Sequence, residues 1–228
     1  MTERSKAAEI VRRLKTLYPD VDCTLDFQKD YELLFSARLA AQCTDARVNT
    51  VTPALFARYP TLEALAGADM ADLEAIVRPC GFYRTKARDI RETSRLLLSR
   101  HGGRVPGSME ELLDLPGVGR KTANLILGDI FGQPAVVADT HCIRISNKLG
   151  LCTSEDPQKV EEQLRAIVEP AEQNDLCHRF VFHGRAVCRA RKPDCAGCAL
   201  MDLCRYAGSP SASAHKASKP LTASSKRV

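Results

Sequence analysis

Four cysteines stand near the end of the chain, in CRARKPDCAGCALMDLC, at Cys188, Cys195, Cys198 and Cys204. Thiolates gathered so closely are ligands for a soft metal centre. Zinc sites pair two short knuckles across a longer loop, whereas this C-x6-C-x2-C-x5-C array holds one knuckle, Cys195 to Cys198, and no histidine between its ligands. Spacing alone leaves zinc and an iron–sulfur cluster level. The first spacer, RARKPD, carries Arg189, Arg191 and Lys192. Pinned between two ligands, those cations would meet a phosphate backbone at low entropic cost.

A second constellation is LLDLPGVGRKTANLILG, residues 112–128. Gly117, Val118 and Gly119 form a turn that glycine lets fold with positive φ and approach a partner closely. Opening a helix at Arg120, such a turn aims free N–H groups and a positive dipole end at an anion, for which phosphate is the natural ligand. Plain packing of two helices explains the glycines equally well. Lys121 sits in the first turn of that helix. The helix end and Arg120 disfavour its charged form, and a neutral amine is a nucleophile able to form a Schiff base with a sugar carbon. On the residues alone, a phosphate-contacting cation is the simpler role. Asp139, in VVADTHCIRIS, follows an apolar run at a helix start, where Asp is a preferred N-cap. A cap lies at an exposed helix mouth, so capping and catalysis are compatible.

The elements that must position these groups read as helices. Apolar periodicity predicts helices over about 6–18, 31–42, 46–58, 61–66, 70–77, 84–100, 108–115, 120–131, 141–149, 158–168 and 175–187. Thr44-Asp45, Ser108 with Glu111 as a capping box, and Asp156-Pro157 are start signals; Gly102-Gly103 is a stop. PAVV at 134–137 is too short for a strand, so the expected class is all-α. With 228 residues, the chain can bury one core or two modest lobes.

The net charge of +5 sits in the tail: Arg205, Lys216, Lys219, Lys226 and Arg227 face no acid, and the rest balances at 28 basic against 28 acidic residues. Net charge therefore gives no general argument for nucleic-acid binding, and a basic face must be local. The Ser/Ala/Lys-rich 206–228 segment reads as a disordered basic tail. No segment has the apolar core of a signal peptide or the roughly 18 apolar residues of a membrane span. The other six cysteines (Cys23, Cys43, Cys80, Cys142, Cys152, Cys177) are scattered singly, as buried free thiols are. A reducing cytoplasm is the expected location.

LPGVGRKTAN, VADTH, HGRAVC and the four-cysteine array together resemble the endonuclease III family, DNA glycosylase/abasic-site lyases of the helix-hairpin-helix superfamily. The resemblance covers about residues 5–205. It implies two helical lobes with a DNA-binding cleft between them: a six-helix domain over 22–132, and a discontinuous cluster-bearing domain from 1–21 and 133–205. It moves the metal assignment to a [4Fe-4S] cluster on Cys188, Cys195, Cys198 and Cys204. It also implies that Lys121 is the Schiff-base nucleophile and Asp139 the catalytic aspartate. Gln42 falls on the family's gap-filling glutamine, Phe82 on a leucine wedge position, and Asp45 and His141 on active-site-lining positions. The implied partner is double-stranded DNA with damaged bases, oxidised pyrimidines above all, or abasic sites, met by a monomer with no membrane contact. Adenine mismatch glycosylase shares fold and cluster, but there the lysine position is usually not lysine. The stretch Leu34–Thr44 also lacks a carboxylate for that enzyme's general acid. A non-catalytic iron–sulfur helix-hairpin-helix protein is the alternative from another class.

Overall fold

The computed structural model describes residues 2–208. The expected tail lies outside the described residues from 209 on. Among the described residues eleven helices run in order: α1 (Glu3–Leu17), α2 (Asp30–Ala40), α3 (Asp45–Arg58), α4 (Leu62–Ala66), α5 (Met70–Val77), α6 (Tyr83–Arg100), α7 (Met109–Leu113), α8 (Arg120–Asp129), α9 (Thr140–Leu149), α10 (Pro157–Ile167) and α11 (Gln173–Ala186). No strand occurs among the described residues, so the chain is all-α as its periodicity predicts. Three tight helical turns, at Arg78–Cys80, Pro170–Glu172 and Met201–Leu203, are too short to leave a periodic trace.

Local chemistry sets the helix starts. Thr44 caps α3 by accepting from the Arg47 N–H, and Asp156 caps α10 by accepting from Lys159, with Pro157 at the first helical position. Ser108 caps α7 in the same way, through the Glu111 N–H. The reciprocal half of that capping box differs from expectation. Ser108 Oγ donates to the Glu111 carboxylate at 2.6 Å, instead of the carboxylate reaching the Ser108 backbone. Pro53 lies inside α3 without ending it.

The chain divides into two compact units, each with its own core. One spans Asp22–Val137. There α6 packs against α4 and α5, and α2 against α3, α6 and α8, around fully buried Leu33, Leu39, Leu55, Leu73, Ile90 and Ile126. The other joins the N-terminal residues through Val21 to the chain from Ala138 onward. In it, α11 packs against α9 and α1, and α1 against α10, burying Ile10, Leu14, Ile145, Val160, Leu164 and Phe180. Buried Arg179 within α11 is held by Glu172 at 3.3 Å, Asp175 at 2.9 Å and the Tyr18 carbonyl at 3.3 Å. A buried guanidinium needs that full set of acceptors.

Candidate active site

In the Asp22–Val137 unit, α7 and α8 form the hairpin. Leu112, Leu115, Val118, Ala123 and Ile126 are buried beneath it. Val118 is therefore a core side chain, and only its backbone is left to meet a partner. Gly117 has φ of 73°, and a Cβ there would run into Arg38 Nε and stand 2.6 Å from Asp89 Oδ2. The turn thus rests on a largely buried ion pair, Arg38 Nη2 to Asp89 Oδ2 at 2.7 Å. Gly119 opens α8 with no side-chain cap, so the first N–H groups of that helix have no side-chain acceptor from the cap residue. Arg120 and Lys121 are exposed beside them. Gly117→Ala is expected to lower stability by about 1–3 kcal/mol, from a left-handed backbone and displacement of the ion pair. A urea titration showing an unchanged midpoint would overturn that account of the turn.

Two further turns of this unit carry predicted site residues. Gln42 (φ 56°) follows α2, and Phe82 (φ 48°) precedes α6. They are the two non-glycine residues with positive φ among those described, and both are exposed, Phe82 by 65%. An aromatic ring held outward by a sparsely populated backbone conformation is strain of the kind found at functional sites. Asp45 accepts from Thr24 Oγ1 at 2.7 Å at the start of α3.

In the other unit, Asp139 caps α9, its Oδ1 accepting the Cys142 N–H at 2.7 Å. His141 Nδ1 stands 3.2 Å from Arg144 Nη2, which donates to the Cys188 carbonyl at 2.9 Å. One guanidinium therefore joins the first turn of α9 to the start of the cysteine array. Gly184 makes room for this: a Cβ there would strike His141 Nδ1 and stand 2.8 Å from Arg144 Nη2.

Cys188, Cys195, Cys198 and Cys204 line a single pocket with Ile145, Leu149, Val187, Pro193 and Met201. Burial pushes the Cys188 and Cys198 thiols up, and in each the neighbouring cysteines add to the rise. Burial thus disfavours the thiolate form of these two, which a cationic group in the pocket would reverse. Yet no three His, Cys, Asp or Glu side chains among the described residues converge as a single-ion site would require. Four sulfur donors lining one pocket are the chemistry of a soft metal centre. The spacer loop is closed at its base by the Asp194 N–H donating to the Val187 carbonyl at 2.9 Å. Arg189, Arg191 and Lys192 are all exposed on it.

Each unit thus gathers its own part of the predicted set: Gln42, Phe82, the glycine turn, Arg120 and Lys121 in one; Asp139, His141, the basic loop and the cysteines in the other. Arg38, Asp89 and Arg144 were not foreseen. Only Arg144 carried a usable signal, its i, i+3 spacing from His141.

The chain matches the HhH-GPD superfamily base excision DNA repair protein over residues 35–170. It is 46% identical to endonuclease III of Synechocystis sp. over 204 residues, covering 89% of this chain and 93% of that protein. It is 39% identical to endonuclease III of Escherichia coli over 204 residues, covering 89% and 96%. Among solved structures, a non-covalent endonuclease III–DNA complex matches with a TM-score of 0.85 at 38% identity, over 91% of this chain and 97% of that one. A trapped endonuclease III–DNA covalent intermediate matches with the same score and identity, over 91% and 98%.

Proposed function

The chain belongs to the endonuclease III family of the HhH-GPD superfamily, and from that premise we propose that Lys121 and Asp139 carry its chemistry. It is a bifunctional base-excision DNA glycosylase and abasic-site lyase whose partner is duplex DNA containing damaged bases. Oxidised pyrimidines are the lesions we assign to it. The observation that carries the residue assignment is Lys121 itself, an exposed amine on the first turn of a helix whose N-terminus has no side-chain cap.

In this reading the damaged nucleotide leaves the stack, at a cost of a few kcal/mol that damage lowers. The neutral Lys121 amine attacks C1′, and the base departs with the bonding electrons and is protonated. The sugar ring opens to an imine with Nζ. The imine acidifies C2′; loss of that proton expels the 3′ phosphate by β-elimination, and water then frees the lysine. Asp139 offsets positive charge on the sugar and assists proton transfer. The first N–H groups of α8 and the Gly117–Gly119 turn hold a backbone phosphate. Gln42 bonds the orphaned opposite base and Phe82 wedges between base steps. His141 and the loop cations Arg189, Arg191 and Lys192 contact the duplex. We place the protein in the bacterial cytoplasm, associated with the nucleoid that holds its duplex DNA partner. Borohydride added with an abasic-site duplex should reduce the imine to a stable protein–DNA adduct on a denaturing gel. Absence of an adduct with the native protein would sink the lyase reading.

The endonuclease III family carries a [4Fe-4S] cluster, and Cys188, Cys195, Cys198 and Cys204 are the residues we propose as its ligands here. When bound, the cluster ties the four cysteines together and supplies no atom to the reaction. The loop it would pin, Arg189 to Asp194, presents Arg189, Arg191 and Lys192 to the duplex. Cys198→Ser is expected to lose iron and visible absorbance and to destabilise its unit by several kcal/mol, on the order of what structural metal sites contribute. Iron assay, absorbance and thermal melting read this together. A soluble, colourless, zinc-loaded native protein would overturn the cluster and leave the lysine chemistry standing.

A further inference from the structure

Each of the two strained turns has a cysteine beside it. Cys43 directly follows Gln42, and Cys80 precedes Phe82 with only Gly81 between. Apart in sequence, the two thiols come together in the fold, where the Arg78–Cys80 turn packs against α3, the helix that opens two residues after Cys43. Buried Lys86 ties the end of α2, just before Gln42, to the turn at Cys80, its Nζ donating to the carbonyls of Leu39 and Cys80 at 2.8 Å each. The pair is asymmetric. Cys43 is partly exposed, while Cys80 is only 2% exposed.

We propose that Cys43 and Cys80 are an oxidative modification site that reacts with a hydroperoxide and closes a disulfide between the turns bearing Gln42 and Phe82. The Cys43 sulfur attacks the terminal peroxide oxygen. The O–O bond breaks, the remainder leaves as an alcohol or water carrying a proton, and Cys43 becomes a sulfenic acid. The Cys80 sulfur then attacks the sulfenic sulfur. The S–S bond forms, the S–O bond breaks, and hydroxide departs with the Cys80 proton as water. Two thiols lose two electrons in all, and the hydroperoxide gains them.

The order of events follows from exposure, because peroxide arriving from solvent meets Cys43 first. Burial pushes the Cys80 thiol up to about 11, with Lys86 and Arg47 pulling the other way. Cys80 therefore waits as a thiol for an electrophile delivered next to it. An S–S bond of about 2.05 Å replaces a non-bonded thiol contact, so the turns are drawn together and fixed. The consequence for DNA rests on the placement of Gln42 and Phe82 in the duplex proposed above.

The test uses the full chain, treated with hydrogen peroxide in stoichiometric steps, alkylated, digested without reduction and mapped by mass spectrometry. The expected product is a peptide pair joined through Cys43 and Cys80, lighter by two hydrogens, and released by dithiothreitol. Cys43→Ala, at the partly exposed position, should leave Cys80 unlinked and alkylatable after unfolding. Two results would overturn the proposal: Cys43 driven to sulfinic acid beside an unmodified Cys80, or Cys80 oxidised equally fast in Cys43→Ala. Fluorescence anisotropy with an abasic-site duplex separates the two readings. The oxidised native protein should bind about tenfold more weakly, reversibly, and Cys43→Ala given the same peroxide should not change. A mapped disulfide with unaltered affinity would remove Gln42 and Phe82 from the duplex while leaving the modification site in place.

Discussion

Lys121→Gln should give no borohydride adduct and cut abasic-site duplex at least about 10,000-fold more slowly than the native protein. The side chain is exposed on the first turn of α8 and supports no core, and Gln is a good helix former. The melting temperature should therefore hold, with any change within about 0.5 kcal/mol. This pattern separates a nucleophile from a phosphate-contacting cation. Loss of a cation alone would weaken duplex binding and flatten its salt dependence, yet leave an adduct that still forms at saturating protein. A single-turnover cleavage assay beside the trapping gel reads both. Equal trapping by the variant would move the nucleophile to another amine.

Asp139→Asn should lose base excision by roughly 100- to 10,000-fold while keeping the fold and duplex affinity. Asp139 has two possible roles on one side chain. Its Oδ1 accepts the Cys142 N–H at 2.7 Å, and Asn caps as well as Asp. The substitution removes the charge and retains the cap, whereas Asp139→Ala would remove both and cost about 1 kcal/mol of stability as well. Glycosylase rate on a single-lesion duplex, measured with thermal melts of both variants, distinguishes the roles. Unchanged turnover in Asp139→Asn would reduce this residue to a cap.

What could be read in the sequence was what acts over a few residues. The periodicity of MADLEAIV gives α5 at its observed bounds, Met70–Val77. Thr44 and Asp156 announced the helices they cap because an oxygen reaches an N–H three residues on. The four cysteines were legible because their thiols crowd one stretch, and they do line one pocket. What could not be read depends on residues far apart. Arg38 and Asp89 meet beneath Gly117 only because α2, α6 and the hairpin pack together. The left-handed turns at Gln42 and Phe82 have no local signature, since neither is a residue that favours that conformation. Cys43 and Cys80 looked like isolated buried thiols until the fold brought their turns together.

The backbone at Gln42 and Phe82 also says how this protein would respond to selection for heat resistance. Glycine adopts that conformation freely, so replacing either residue with glycine relieves about 1 kcal/mol of steric strain. At Phe82 it also removes a ring that is 65% exposed. A library sorted only for thermal survival would enrich those glycines. The hardiest clones would be the ones that had given up the side chains proposed to enter the duplex.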